Sequence, residues 1–236
     1  MTARNVEKEI RVAADPVRAK MAQGYFKTDK GEYAEGDKFL GLTVPAQRKI
    51  ALKYADLGLN EVKNLLASKF HEMRFVALEI LVFKYENGDA VTKKKIVDFY
   101  LKNRKGIDNW DLVDTSASYI LGDWLLYKDE REKSILYELA KSKRLWDRRI
   151  AIVASGAFIG NGQYKDTIRL AKMSLKDDHD LMHKAAGWML REVGKRSRPD
   201  LERFLARHHK NMPRTMLRYA IERFPKARRK AYLKGL

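Results

Sequence analysis

Apolar residues recur with the three-to-four-residue period of an amphipathic helix along almost the whole chain, and strand-like alternation is nearly absent. The pattern predicts helices over residues 16–25, 45–55, 60–68, 71–85, 89–102, 109–126, 129–142, 145–159, 164–175, 180–195, 199–209, 213–224 and 226–234. The breakers agree with these limits. Asn87-Gly88 and Gly160-Asn161-Gly162 fall between helices, and Pro45, Pro199 and Pro213 sit where first-turn prolines belong. The stretch 28–37, Gly-rich and charged, reads as a loop.

The second helices of successive pairs align. Segments starting at Met73, Trp110, Trp146, Met182 and Thr215 follow one another at 37, 36, 36 and 33 residues. Self-similarity at this period means stacked helical hairpins, none able to bury its apolar face alone. The expected fold is therefore all-α: a superhelical array (α-solenoid) of HEAT-like helical repeats forming one domain over 1–236. One helix of each pair lines the concave side of such an array. Special residues on equivalent helices are expected to converge there, on a basic face.

Composition narrows the partners. The chain has 236 residues, a net charge of +18 and 45% hydrophobic residues, enough for one sizeable core. With no cysteine, disulfides, thiolate zinc sites and cysteine-ligated clusters are excluded. No apolar run is long enough for a membrane span, and the first 11 residues lack the apolar core of a secretory signal. A cytoplasmic setting follows as an expectation: bacterial cytosol or nucleoid. From Trp188 onward there are 15 Lys/Arg against 4 Asp/Glu, so the last fifth carries +11 of the excess. A solvated surface seldom has such a bias of sign, and the field suits nucleic acid better than membrane, because Phe204, Leu205, Leu217 and Phe224 read as core.

Three segments carry candidate chemistry: Trp110-Asp111-Leu112-Val113-Asp114, Trp146-Asp147-Arg148-Arg149, and Lys184 to Arg191 with Gly187-Trp188 inside it. Trp110 and Asp114 are four apart and share a helix face. On the wheel, Val113, Ala117, Ile120 and Trp124 centre the apolar stripe and Asp114 sits at its edge. A lone Asp is usually a solvated charge. The company of Trp110, Arg149 and a Lys184, Trp188, Arg191, Lys195 stripe points instead to a carboxylate facing a cationic groove. Trp188 is then a stacking plate beside phosphate binders. His179 and His183 are four apart but lack the glutamate of a zincin, so no metal is expected.

These residues resemble the alkylpurine DNA glycosylases of the AlkD type, in the DNA alkylation repair family built of HEAT-like repeats. The resemblance starts near Met21-Ala22 and Phe39 to Pro45, runs through Trp110 to Asp114, and is closest from Lys184 to Glu192. It implies that Asp114 is the catalytic carboxylate, Trp110 and Trp188 the aromatic pair around the lesion, and Arg149 the active-site arginine. It assigns DNA-backbone contacts to Arg48, Arg191 and Lys195; Lys184 joins them from its place in the stripe. The chain departs from the family at 28–37, which looks like an insertion and leaves Tyr25 and Phe26 both candidates for an N-terminal contact. It departs again around Gly156-Ala157-Phe158, where a basic contact is missing.

The implied activity is hydrolysis of the N-glycosidic bond of cationic N3- or N7-alkylated purines in duplex DNA, leaving an abasic site. No cofactor is expected, and the partner is double-stranded DNA bound by a monomer. The alternative is a non-catalytic HEAT-like binder of damaged or branched nucleic acid.

Overall fold

A computed structural model describes residues 1–235. Apart from one isolated bridge between Lys38 and Phe70, regular structure among the described residues is helical. No helix there is long and apolar enough to cross a membrane. The chain divides into two compact units, one spanning Met1–Ser116 and one from Ala117 onward.

The first unit holds α1 (Ala3–Val12), α2 (Pro16–Phe26), α3 (Val44–Lys53), α4 (Leu59–Leu66), α5 (His71–Glu86), α6 (Ala90–Asn103) and α7 (Trp110–Asp114). Caps set several starts. The Asp15 carboxylate accepts from the N–H groups of Val17 and Arg18 ahead of Pro16, and Asp89 accepts from Thr92. α5 is buried nearly all round, as a central helix must be, and carries the buried polar groups His71, Glu72 and Arg74 at its start. It buries Phe75, Val76, Leu78, Ile80 and Leu81, side chains worth about 1.5–3 kcal/mol each on full burial. α3 and α7 pack on α5 in one layer; α4 and α6 cover it from the other. α1 was not expected from the periodicity. Its Val6 and Ile10, four apart and fully buried, hold it against α3, α4 and α5.

The second unit holds a π turn (Ser118–Gly122), α8 (Asp123–Leu125), α9 (Glu130–Ala140), α10 (Leu145–Ala154), α11 (Gly156–Gly160), α12 (Lys165–Met173), α13 (Asp180–Arg196), α14 (Arg198–His208), α15 (Arg214–Ala220) and α16 (Lys226–Lys234). α13 packs against α10 and α15 within one layer and against α12 and α14 outside it. α10, α13 and α15 start at Leu145, Asp180 and Arg214, close to the repeat period, and the paired, layered helices of both units have the HEAT-like arrangement of an α-solenoid. Gly187 permits the α13–α15 contact: a Cβ there would lie 2.5 Å from the Met216 carbonyl oxygen.

Three expectations need correction. The helix predicted over 109–126 is interrupted. Gly122 N–H donates to the Ala117 carbonyl, a five-residue step, and a Cβ on Gly122 would meet the Ala154 carbonyl oxygen at 2.1 Å. The backbone thus takes in an extra residue where it must press on α10. The helix predicted over 145–159 breaks at Ser155, whose hydroxyl donates back to Ile152 O at 2.7 Å, and restarts as α11. Pro213 is the cap residue of α15, not a member of its first turn.

Candidate active site

In the first unit the site is built on α7. Asn109, fully buried, starts this helix by accepting the Trp110 N–H at 2.8 Å. Trp110 and Asp114 are the first and last residues of α7, so one turn carries both; each is half-buried. Phe26 lies against the Trp110 indole with centroids 5.3 Å apart and planes 17° apart, and Tyr25 meets it edge-on at 6.0 Å. Beyond Asp114, the Thr115 hydroxyl donates to Glu79 Oε1, which also accepts from Arg48 Nε at 3.2 Å. Arg48 is tethered at that one nitrogen, while 59% of its side-chain surface stays exposed.

Beneath Trp110 lies an ion cluster. His71 is 2% exposed, with Nδ1 3.1 Å from Asp37 Oδ2 and Nε2 2.7 Å from Asp111 Oδ2. Arg74 donates to Asp37 Oδ1 at 2.6 Å and stands 3.1 Å from Asp108. Burial lowers the histidine's proton affinity, but Asp111 and Asp37 outweigh it and raise its pKa to about 9. Burial raises the Asp37 pKa, yet His71 and Arg74 bring it below the ordinary carboxylate range.

The loop sequence delivers these groups. Lys38 N–H donates to Lys69 O and His71 N–H to Lys38 O, while the buried Glu72 carboxylate accepts from Leu40 and Gly41. Gly41 is needed there, with φ +87° and Asp15 O only 2.1 Å from where a Cβ would sit. The result lays the Phe39 ring 4.7 Å from the His71 ring and Phe26 at 4.9 Å from both. The stretch 28–37 is a loop as expected, and Asp37 anchors it.

In the second unit, Arg149 is 5% exposed and donates to the Leu181 carbonyl at 2.7 Å, tying α10 to the start of α13. Arg148 points elsewhere, to Asp177 at 2.6 Å, and Trp146 is core. Lys184, Trp188, Arg191 and Lys195 leave the buried face of α13, made by Met182, Ala185, Ala186, Met189, Leu190 and Val193. Trp188 is half-buried. Each cation of the row has a carboxylate neighbour: Lys184 pairs with Asp180 at 2.8 Å, Lys195 with Glu192 at 2.8 Å, and Arg191 with Glu192 and Glu222. His179 caps α13 by accepting from Leu181, and His183 bonds the Asp177 carbonyl. Among the described residues, no group of three His, Asp or Glu is placed to hold a metal ion.

Sequence reasoning paired Trp110 with Asp114 and set out the α13 row; it named Asp111 and Phe39 only as members of their motifs and gave no role to Asp37 or His71. Their partners lie 34 and 40 residues apart for the two histidine bonds, beyond any local pattern. The available signal was Phe26 and Phe39 flanking the unexplained loop.

A family model described as DNA alkylation repair enzyme matches residues 6–224. No curated protein sequence matches. Among solved structures, one described as a predicted DNA alkylation repair enzyme from Enterococcus faecalis superposes with a TM-score of 0.71 at 15% identity, covering 90% of this chain and 97% of that one. That likeness shows a shared fold.

Proposed function

The chain belongs to the DNA alkylation repair enzyme family, and we propose that its part in repair is to hydrolyse the N-glycosidic bond of N3- or N7-alkylated purines in duplex DNA, leaving an abasic site. The observation that carries this reading is a carboxylate one helical turn from an aromatic plate, Asp114 and Trp110, on a helix whose aromatic support is already built.

Alkylation at N3 or N7 makes the purine cationic and a good leaving group. As the bond to C1′ stretches, positive charge passes to the sugar. An ionised Asp114 beside C1′ stabilises that oxocarbenium and orients the attacking water. Two unit charges 4 Å apart at an effective dielectric near 20 interact by roughly 4 kcal/mol. This corresponds to about a thousandfold in rate. It suffices for an already labile base and falls far short for a neutral nucleoside, so the lesion's own lability supplies much of the selectivity.

Trp110 offers its indole to the cationic lesion, a contact worth roughly 0.5–2 kcal/mol. Trp188 is the second aromatic plate of the family pattern, and Arg149 its active-site arginine. Arg48, Lys184, Arg191 and Lys195 bind phosphates, assisted by the basic helices α14 to α16 of a protein with net charge +18. The protein acts as a monomer without a cofactor.

The test is release of free 3-methyladenine and 7-methylguanine from methylated duplex DNA. Wild type should release base, and Asp114→Asn should be slower by about three orders of magnitude with binding retained. Salt-sensitive binding without release by wild type would instead favour a non-catalytic binder of damaged nucleic acid.

A further inference from the structure

The chemistry assigned to Asp114 leaves the loop 28–37, two phenylalanines and a buried histidine without a task, and these groups touch. A neutral imidazole has a single N–H to donate. His71 faces a carboxylate at each nitrogen, Asp37 from the loop and Asp111 from α7, so only the protonated ring serves both. The ring faces carry the aromatic contacts: Phe39 stacks at 4.7 Å, Phe26 leans on both, and Phe26 continues onto Trp110. Further charged and polar groups around this unit include Arg74 from α5, which holds Asp37, Asp108 beside Arg74, and Asn109, whose amide reaches Asp37 at 3.4 Å.

We propose that His71, clamped between Asp37 and Asp111 and stacked against Phe26 and Phe39, is a positioning residue that fixes the Trp110 indole. Two routes lead from it to the indole. Asp111 follows Trp110 directly in the chain, so the 2.7 Å bond to His71 ties down the backbone that bears the indole. Phe26, held on the histidine, backs one face of the indole ring at 5.3 Å. When the ring loses its proton, one carboxylate loses its donor and the cation leaves the aromatic pile. Both routes then slacken together. The kinetic consequence rests on the glycosylase reading; the structural one does not. The cationic row of α13 is untouched, so excision should slow while affinity for undamaged duplex is unchanged.

The wild-type protein tests this directly. With its histidines labelled in the imidazole ring, His71 should stay protonated through pH 8 and titrate near 9, in keeping with its raised pKa. The Trp110 indole N–H resonance, assigned by its absence in Trp110→Phe, should shift with the same midpoint while those of Trp124, Trp146 and Trp188 hold still. In His71→Asn, that resonance should already occupy its high-pH position at pH 7. A Trp110 resonance that is flat across the histidine transition, or a His71 that titrates near its ordinary 6.5, overturns the proposal. Single-turnover release of 7-methylguanine should lose rate through the same midpoint. If no base is released at any pH while histidine and indole titrate together, the glycosylase reading fails and the positioning role stands.

Discussion

Asp111 accepts a hydrogen bond from the buried His71 ring at 2.7 Å, three residues before Asp114 on the same single-turn helix. The carboxylate assigned to chemistry and the carboxylate that anchors its helix are therefore neighbours on one turn. Asp111 spends its charge on the histidine, and the substrate role proposed above falls on Asp114, at the end of the same helix.

The His71 linkage gives stability a pH signature. A pKa raised from 6.5 to about 9 on folding contributes stability that is complete below pH 6.5, shrinks between 6.5 and about 9, and is absent above. Its size is on the order of 3 kcal/mol, from 1.36 kcal/mol per pKa unit. Urea unfolding of wild type should show this decline, and His71→Gln should lack it. Equal pH slopes for the two proteins would contradict the assignment.

Removing Phe26 should loosen the indole it backs. Phe26→Ala gives up a stacked pair worth about 0.5–1.5 kcal/mol beyond its area. The Trp110 resonance should move toward its random-coil position, and the proposed excision should slow several-fold without a change in affinity for undamaged duplex. An unmoved resonance would mean that Tyr25 and the α7 backbone hold the ring by themselves.

The carboxylates beside the α13 cations predict a gain of function in binding. Arg191 is shared between Glu192 and Glu222, so a phosphate must compete with them. Glu222→Gln should tighten binding to undamaged duplex a few-fold. Arg191→Ala should weaken it on every sequence and flatten the dependence of log K on log salt by about 0.9. Titrations at several salt concentrations read both effects.

Gly187 separates packing from chemistry. Gly187→Ala sets a methyl 2.5 Å from the Met216 carbonyl and 2.6 Å from Tyr219 Cβ. Pushing α15 off α13 should cost about 1–3 kcal/mol, typical of overpacking. Thermal melts of the two proteins measure it, and an unchanged Tm would show that the two helices yield easily.

Most of the fold was legible because its determinants are local. Asp15 before Pro16, Asp89 and Asp129 cap helices that begin where the periodicity says they should. The break after Asp114 was not legible. Val113, Ala117 and Ile120 keep helical spacing and are all fully buried, yet the backbone passes into a π turn at Ser118–Gly122, where Gly122 lies so close to the distant Ala154 carbonyl that no side chain would fit. The first helix escaped notice because Val6 and Ile10 are an isolated apolar pair in a charged segment. Trp110 and Asp114 could be paired from spacing alone. The burial of Arg149 could not, since it depends on a carbonyl from α13, 32 residues on. Nor could the histidine cluster, which is assembled from ordinary polar residues on three separate elements.

Asp37 closes the loop 28–37 by entering the interior as a negative charge. The loop must therefore be long enough to bring that charge to His71 and Arg74. A shortened variant that withdrew this carboxylate would leave the buried His71 and Arg74 with one carboxylate each, Asp111 and Asp108, and His71 Nδ1 without its acceptor. Such a deletion should register first as an acid-side weakness of the whole first unit, well before any residue that faces the nucleic acid had been altered.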